Sequence, residues 1–185
     1  MKTIADVIDY LYSLFNSHPI GGFAASIPLS SGIDIAKERA AARDKLKKAC
    51  NDIVSMPELH MVGDVTYCNV AVQLIAKRLG CTELDHMTAN QMVDFLEKSD
   101  KWRKDNGERA ASHAENGGLA VAAKQYYQHG HIAVIYPYGT LGFSGSWNKL
   151  VPYVANVGKM NAIIKVSEAF PVTDDEPFYF LRGEV

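Results

Sequence analysis

The stretch Gly63-Asp64-Val65-Thr66-Tyr67-Cys68-Asn69 places a cysteine directly before an apolar pattern of helical spacing. The apolar residues that follow at this spacing are Val70, Leu74, Ile75 and Leu79. The approach to Cys68 contains Gly63 and has no helical pattern, whereas Gly80 is suited to end the helix. The sequence therefore predicts that Cys68 stands at the N-terminus of a helix, near the positive end of the helix dipole.

A second informative stretch, Gly130-His131-Ile132-Ala133-Val134-Ile135, is the strongest strand pattern in the chain. Gly130 lets the backbone come close to another element, and His131 heads the apolar run. A histidine in this position has its ring at the edge of the sheet, where it can meet a helix N-terminus. We therefore expect Cys68 and His131 to come together, with a helix pair and a first strand between them in sequence.

Helical patterns dominate the first half of the chain and strand patterns the second. The predicted helices are residues 4–16, 34–54, 68–79, 89–98 and 112–116, with Thr88 and Gln91 as a capping box before the fourth. The predicted strands are residues 119–123, 130–137, 151–157, 162–166 and 177–181, and residues 99–109 are predicted to be loop. This order predicts an α+β fold with a mainly antiparallel sheet packed by helices on one side.

The chain is expected to form one compact unit with two parts. Residues 1–58 are predicted to be an N-terminal helical extension that includes an arm rich in Gly, Ser and Pro at residues 18–32. Residues 59–185 are predicted to be the core. The extension either completes the helical layer or covers a cleft of the core.

Composition and charge are those of an ordinary globular protein. The 185 residues are 48% hydrophobic and 22% charged, and the formal net charge is −2. No basic stripe indicates a nucleic-acid partner, and no apolar run approaches the roughly 20 residues of a membrane span. Neither a nucleic acid nor a membrane is therefore expected as a partner, and no Sec signal peptide is recognised.

The three cysteines do not form a disulfide framework or a zinc-finger spacing. Cys50 lies in a helical pattern and Cys81 follows Gly80, so both are expected to be small buried hydrophobes. Cys68 differs because a helix N-terminus and a nearby imidazolium can lower the pKa of a thiol and make it a nucleophile. The free amides of the same helix end could form half of an oxyanion hole. His131, the one histidine of six that heads a strand, is the candidate base.

Thr66-Tyr67-Cys68-Asn69 together with Gly130-His131-Ile132-Ala133-Val134 resembles the NlpC/P60 and CHAP superfamily of papain-like cysteine peptidases and amidases. The resemblance covers residues 60–170 and implies a papain-like fold. It also implies hydrolysis of amide bonds, usually in the stem peptides or cross-bridges of peptidoglycan.

The resemblance implies a third polar residue that orients the histidine from the next strand. Asn156 is the candidate, because it is polar within the apolar run Tyr153-Val154-Ala155-Asn156-Val157. Its amide can accept a hydrogen bond from the imidazole and fix the tautomer. Asn148 and Asn161 are rivals in loop-like surroundings.

Four further residues are expected to contact substrate: Asp64, Tyr67, Asn69 and Trp147. In the resembling family the loop before the nucleophile often recognises amine or peptide groups, so Asp64 could hold a cation; alternatively it forms a turn with Gly63. Asn69 is alternatively a structural cap. Trp147 is either a platform for a glycan or peptide, or packs at the edge of the core.

A metal site is the main alternative at this position. His129 and His131 could place two imidazoles on one face, with Cys68 as a third ligand, but no carboxylate or fourth ligand is evident. We therefore expect no metal and no cofactor. The remaining histidines are expected at the surface or at helix ends: His18, His60, His86 and His113.

The sequence thus predicts a cysteine hydrolase with Cys68 as nucleophile, His131 as base and Asn156 as orienting residue. The resemblance adds peptidoglycan peptides as substrate. A protein made in the cytoplasm would then act on the cell wall after lysis or export outside the Sec route, and an inhibitor or immunity protein is a conceivable second partner. The alternatives are a papain-like glutamine deamidase or acyltransferase toxin, and a non-catalytic binding module that retains the fold.

Overall fold

The computed structural model describes residues 32–170 and 176–183. The predicted helix at 4–16 and the predicted arm, apart from Gly32, lie outside the described residues. The chain divides into two compact units, residues 1–36 and 37–185, and all but the first five described residues belong to the second. The expected division of the chain after residue 58 stays a prediction.

Four of the five described helices lie in the first two thirds of the described chain. They are α1 (Gly32–Val54), α2 (Cys68–Arg78), α3 (Ala89–Lys98), α4 (Gly107–Glu115) and α5 (Val166–Ala169), with a short 3-10 turn at Pro57–Leu59. None of these described helices combines the length and apolar character needed to cross a membrane.

The described residues form eight strands in two sheets. They are β1 (Trp102–Asp105), β2 (Ala120–Lys124), β3 (His131–Tyr136), β4 (Gly142–Ser144), β5 (Lys149–Val151), β6 (Tyr153–Asn156), β7 (Ala162–Lys165) and β8 (Phe178–Arg182). Six of them form one antiparallel sheet in the order β1-β8-β2-β3-β6-β7, and β4 pairs with β5 in a separate hairpin. The predicted α+β class with an antiparallel sheet is confirmed.

The middle of the sheet is the centre of the core. Every residue of β3 after His131 is buried, and so are the first four residues of β2. Because successive strand residues face opposite sides, both faces of these strands are covered, whereas we expected a covering layer on one side. Helix α2 packs against β3, which brings the helix that begins at Cys68 to the strand that begins at His131.

The predicted helix boundaries in this region are confirmed by their local chemistry. Thr88 accepts a hydrogen bond from the Gln91 amide while the Gln91 side chain accepts one from the Thr88 amide, so α3 begins with the predicted capping box. Gly80, with φ of +83°, adopts the left-handed conformation that ends α2. Cys50 and Cys81 are buried, as expected for small hydrophobes.

The prediction of loop at residues 99–109 is wrong. Residues 102–105 form the edge strand β1, whose Trp102 is buried and pairs with Arg182 of β8. Its partner lies about 80 positions downstream, so no local pattern indicates the pairing. Helix α4 also begins earlier than predicted, because the Asn106 side chain caps it by accepting from the Arg109 amide.

The predicted strand at 151–157 is two strands that belong to different sheets. Val151 ends β5 and Tyr153 begins β6, with Pro152 between them. Proline has no amide hydrogen and cannot continue a ladder of hydrogen bonds, so the chain changes sheets at this residue. After this change of sheet, β6 pairs with β3 and ends at Asn156.

Candidate active site

Cys68 is the first residue of α2 and its side chain is buried. The sulfur donates a hydrogen bond of 3.9 Å to the Gly130 carbonyl, directly before His131 in sequence. Burial raises the pKa of the thiol, and hydrogen bonds from the backbone of Ile132, Asn69 and Cys68 and from the Thr66 side chain act in the opposite direction. Burial dominates, so the expected lowering of the Cys68 pKa is wrong for the free protein.

His131 is held by Asn156 on the neighbouring strand. The two side chains meet at 2.8 Å between Nε2 and Oδ1, and the Nδ2 group of Asn156 donates to the Met160 carbonyl. Because Nδ2 is used in this way, Oδ1 is the acceptor and Nε2 of His131 carries the hydrogen. The other ring nitrogen, Nδ1, is therefore the one with a lone pair that can accept a proton.

The surroundings of the His131 ring favour its neutral form. Burial lowers the pKa of His131, while the hydrogen bond that the ring donates to Asn156 acts in the opposite direction and is the smaller effect. The ring packs at an angle of 61° against Phe170, with 4.9 Å between the ring centroids. The His131 ring thus combines an apolar neighbour with an orientation fixed by Asn156.

The Cys68 sulfur lies against the backbone that carries His131. It contacts the carbonyl of the residue before the histidine and the amide of the residue after it. Within residues 32–170 and 176–183, however, no hydrogen bond joins the sulfur to the imidazole ring. A proton could pass directly between the two groups only if they came within hydrogen-bonding distance.

Two cavities meet at this point of the fold. One of about 520 Å³ is lined by Cys68 and the other, of about 730 Å³, by His131 and Asn156. Three residues line both: Thr66, His129 and Gly130. A substrate could therefore extend to both sides of the cysteine and the histidine.

The four expected substrate residues divide into two groups. Asp64, which is exposed, and Asn69 line the cavity that contains Cys68, and the Asn69 amide also donates to the Met87 carbonyl. Tyr67 is buried and lines neither cavity, which favours packing over substrate contact. Trp147 also lines neither cavity, although its neighbour Ser146 lines the larger one.

Two residues that our sequence reasoning did not assign to the site belong to it. Thr66 stands between the two cavities and beside the sulfur. Asn90, expected as part of a helix start, lines the Cys68 cavity, and its Oδ1 is buried without a hydrogen-bond partner in the described residues. A side chain at position 130 would stand 2.2 Å from this oxygen, so Gly130 allows a close approach as predicted.

The two alternatives to Asn156, Asn148 and Asn161, lie elsewhere and make other contacts. Asn161 accepts from the Gly158 amide and donates to the Leu59 carbonyl, so it holds the loop that follows β6. Asn148 lies in the turn between β4 and β5 with φ of +50°. Of the three, the structure places Asn156 against the His131 ring.

The metal alternative has no support in the described part of the chain. No group of three or more His, Cys, Asp or Glu side chains there is arranged to hold a metal ion. Among the other histidines, His113 lies in the last turn of α4, one of the two positions expected for it, and its side chain is buried.

No protein-family model matches the chain, and no curated protein matches it at a significant level.

Proposed function

We propose that the protein is a papain-like cysteine hydrolase that cleaves amide bonds. The observation that carries the proposal is the 2.8 Å hydrogen bond between His131 Nε2 and Asn156 Oδ1, formed beside a cysteine at a helix N-terminus. It leaves Nδ1 of His131 as a proton acceptor next to the backbone that the Cys68 sulfur contacts. A nucleophile, a base and an orienting group are thus supplied by three adjacent elements.

The reaction follows from these positions. Nδ1 of His131 accepts the Cys68 proton, and the sulfur forms a bond to the substrate carbonyl carbon. The oxyanion is stabilised by amides of the α2 N-terminus, including that of Cys68. The imidazolium then donates its proton to the leaving amine as the carbon–nitrogen bond breaks, which leaves a thioester. Water, activated by the same imidazole, hydrolyses the thioester and releases the carboxylate and the free thiol.

The substrate we propose is a peptide of peptidoglycan, and the protein would then act on the cell wall. The support is the resemblance of the residues around Cys68 and His131, together with the chemistry of the cavities. Asp64 at the Cys68 cavity is exposed and could receive an amine, which stem peptides and cross-bridges carry.

A non-catalytic binding module is a second candidate. The observation that favours it is the burial of Cys68, whose side chain is 5% exposed and whose thiol pKa is raised. A vestigial site would keep the cavities and lose the chemistry. An experiment on activity separates the two.

The experiment incubates the purified full-length protein with purified sacculi and measures newly released amines. We expect release by the wild type, loss in Cys68→Ala, and full release in the matched control Cys81→Ala, which removes a thiol that lines neither of the two cavities. No release above background would support the binding module. Untouched sacculi with a gain of about 1 Da per glutamine in a protein substrate would support the deamidase alternative.

A further inference from the structure

A small cleft lined by three tyrosines lies at the other end of β3 from the candidate active site. The tyrosines are Tyr136, Tyr138 and Tyr153, and the cleft of about 210 Å³ is called the tyrosine cleft below. Tyr136 is the last residue of β3 and His131 is the first. At about 3.3 Å per strand residue, the two positions are roughly 17 Å apart.

The tyrosine rings form an ordered stack. Tyr136 of β3 and Tyr153 of β6 are cross-strand partners. Tyr138 stacks on Tyr153 with 3.9 Å between centroids and 15° between planes, and lies 6.2 Å from Tyr136. Half of the Tyr138 surface is exposed, so the stack presents an aromatic surface to solvent. The pairing of β3 with β6 therefore sets Tyr136 beside Tyr153, and Tyr138 from the following loop completes the aromatic surface of the cleft.

The cleft is also lined by polar side chains, mostly from α4, together with the apolar Ala111 and Leu141. Glu108, Ser112 and Glu115 line the cleft from one side of this helix, and Thr140 lines it from the loop after β3. The Glu115 carboxylate already accepts a hydrogen bond from the Gly139 amide. The cleft thus combines a flat apolar face with carboxylate and hydroxyl groups.

We propose that the tyrosine cleft binds a pyranose ring of a saccharide. The faces of a pyranose carry C–H groups that pack on aromatic rings, and its rim carries hydroxyls that donate to carboxylates. The volume is below the roughly 300–1,000 Å³ of ordinary ligand sites, which suits a single ring rather than a folded peptide.

A cation is the competing ligand for the tyrosine cleft, because two carboxylates line it. Lys47 already places its ammonium 5.8 Å from the centroid of the Tyr136 ring. Glu115 is engaged with backbone, which leaves Glu108 as the exposed carboxylate. The rim of a pyranose can bond to the Ser112 and Thr140 hydroxyls as well as to the Glu108 carboxylate, so it uses more of the lining than a single ammonium group does.

The test is a titration of the isotope-labelled full-length protein with a tetramer of N-acetylglucosamine, a tetramer of glucose and lysine amide, followed by amide chemical shifts. We expect either saccharide to shift Gly139 and Thr140. A stronger response to the acetylated tetramer assigns a contact to the acetamido group, and equal responses assign binding to the ring alone. Absence of saccharide shifts at the cleft, or tighter binding of lysine amide there, overturns the proposal.

Variants define the site. Tyr138→Ala should weaken saccharide binding about tenfold by loss of the stacking face, and Tyr138→Phe should retain binding. Glu108→Gln should weaken it about threefold, which keeps the test decisive if Tyr138→Ala does not fold. Phe143→Ala is the matched control, because Phe143 is an exposed aromatic residue outside the cleft. An equal loss in Phe143→Ala would assign binding to another surface. The proposal is independent of the thiol chemistry, so Cys68→Ala should bind the saccharides normally.

Discussion

Asn156 accepts a hydrogen bond from Nε2 of His131 at 2.8 Å, and it is itself held by the Met160 carbonyl. This double anchorage fixes which ring nitrogen of His131 carries the hydrogen. It also places the orienting group within the protein interior, because Asn156 is 5% exposed. The orientation of the histidine therefore depends on a residue that a substrate need not touch.

We expect Asn156→Ala to reduce the rate of amide hydrolysis by about tenfold to hundredfold, because the imidazole loses its fixed tautomer and the hydrogen bond that raises its pKa. Asn156→Asp should recover much of the activity. A carboxylate at this position favours the imidazolium, so it raises the pKa of His131. The acidic limb of the pH profile of kcat/KM should then move to higher pH. An unchanged profile in Asn156→Asp would contradict the assigned role.

Cys68 should be the most reactive of the three thiols in the folded protein. It lines a cavity, whereas Cys50 is fully buried and burial raises the pKa of that thiol strongly. With iodoacetamide and peptide mapping we expect labelling of Cys68 first, at a rate that rises with pH because its own pKa is also raised. His131→Ala should slow this labelling near neutral pH. Equal labelling of all three thiols would contradict the nucleophile assignment.

Much of the candidate site could be predicted from local patterns. Cys68 precedes an apolar helical pattern, His131 heads an apolar strand, and Asn156 is polar within an apolar run. Each of these patterns involves only a few neighbouring residues, so it can be recognised in the sequence without the tertiary structure. The structure brings these residues to adjacent elements, while their catalytic roles stay predictions.

The features that could not be predicted depend on contacts between distant residues. The edge strand β1 exists because Trp102 pairs with Arg182, and its exposed residues are as polar as a loop. The tyrosine cleft depends on the register that sets Tyr136 opposite Tyr153. His113 is buried by Gly118, where any side chain would overlap the ring, and this contact leaves no periodic trace in the sequence.

Stability should rise with pH between about 5 and 7. His113 and His131 are both buried, and burial lowers the pKa of each in the folded protein. The unfolded chain therefore binds more protons than the folded one as the pH falls below the ordinary histidine value of about 6.5. Urea unfolding at pH 5, 6 and 7.5 should give a falling midpoint toward low pH. A matched measurement on His113→Gln should show a weaker dependence, and a pH-independent midpoint in the wild type would contradict the prediction.

A second loss of stability is expected at more acidic pH and comes from Glu83. Its carboxylate bonds to Arg182, Lys101 and the indole of Trp102, and the Arg182 hydrogen bond is the main cause that lowers the pKa of Glu83 to about 2. Its contribution is complete above about pH 4.5 and is lost as the pH falls toward 2. Glu83→Gln should lower the free energy of unfolding by about 1–3 kcal/mol at neutral pH, since hydrogen bonds to charged groups are lost. Lys48→Gln, at an exposed ion pair with Asp52, is the control and should change it by less than about 1 kcal/mol.

Gly130 is the point where the loop before β3 meets the first turn of α3. A Cβ atom there would stand 2.2 Å from Asn90 Oδ1 and 3.1 Å from the Asn90 amide nitrogen and the Lys124 carbonyl oxygen. Gly130→Ala should therefore push the head of β3 away from α3, lower the free energy of unfolding by about 1–3 kcal/mol and reduce hydrolysis. Hydrolysis should be affected because the Gly130 carbonyl, which would move, contacts the Cys68 sulfur.

The double variant Gly130→Ala with Asn90→Ala tests this cause directly. Removing the Asn90 amide group eliminates the 2.2 Å overlap and leaves the two 3.1 Å contacts, so part of the lost stability should return. Urea unfolding of both single variants and the double variant gives the coupling energy between the two positions. Strictly additive effects would mean that Gly130 is required for another reason. Recovery of stability with recovery of hydrolysis would show that the close approach of α3 to the head of β3 sets the position of His131 relative to Cys68.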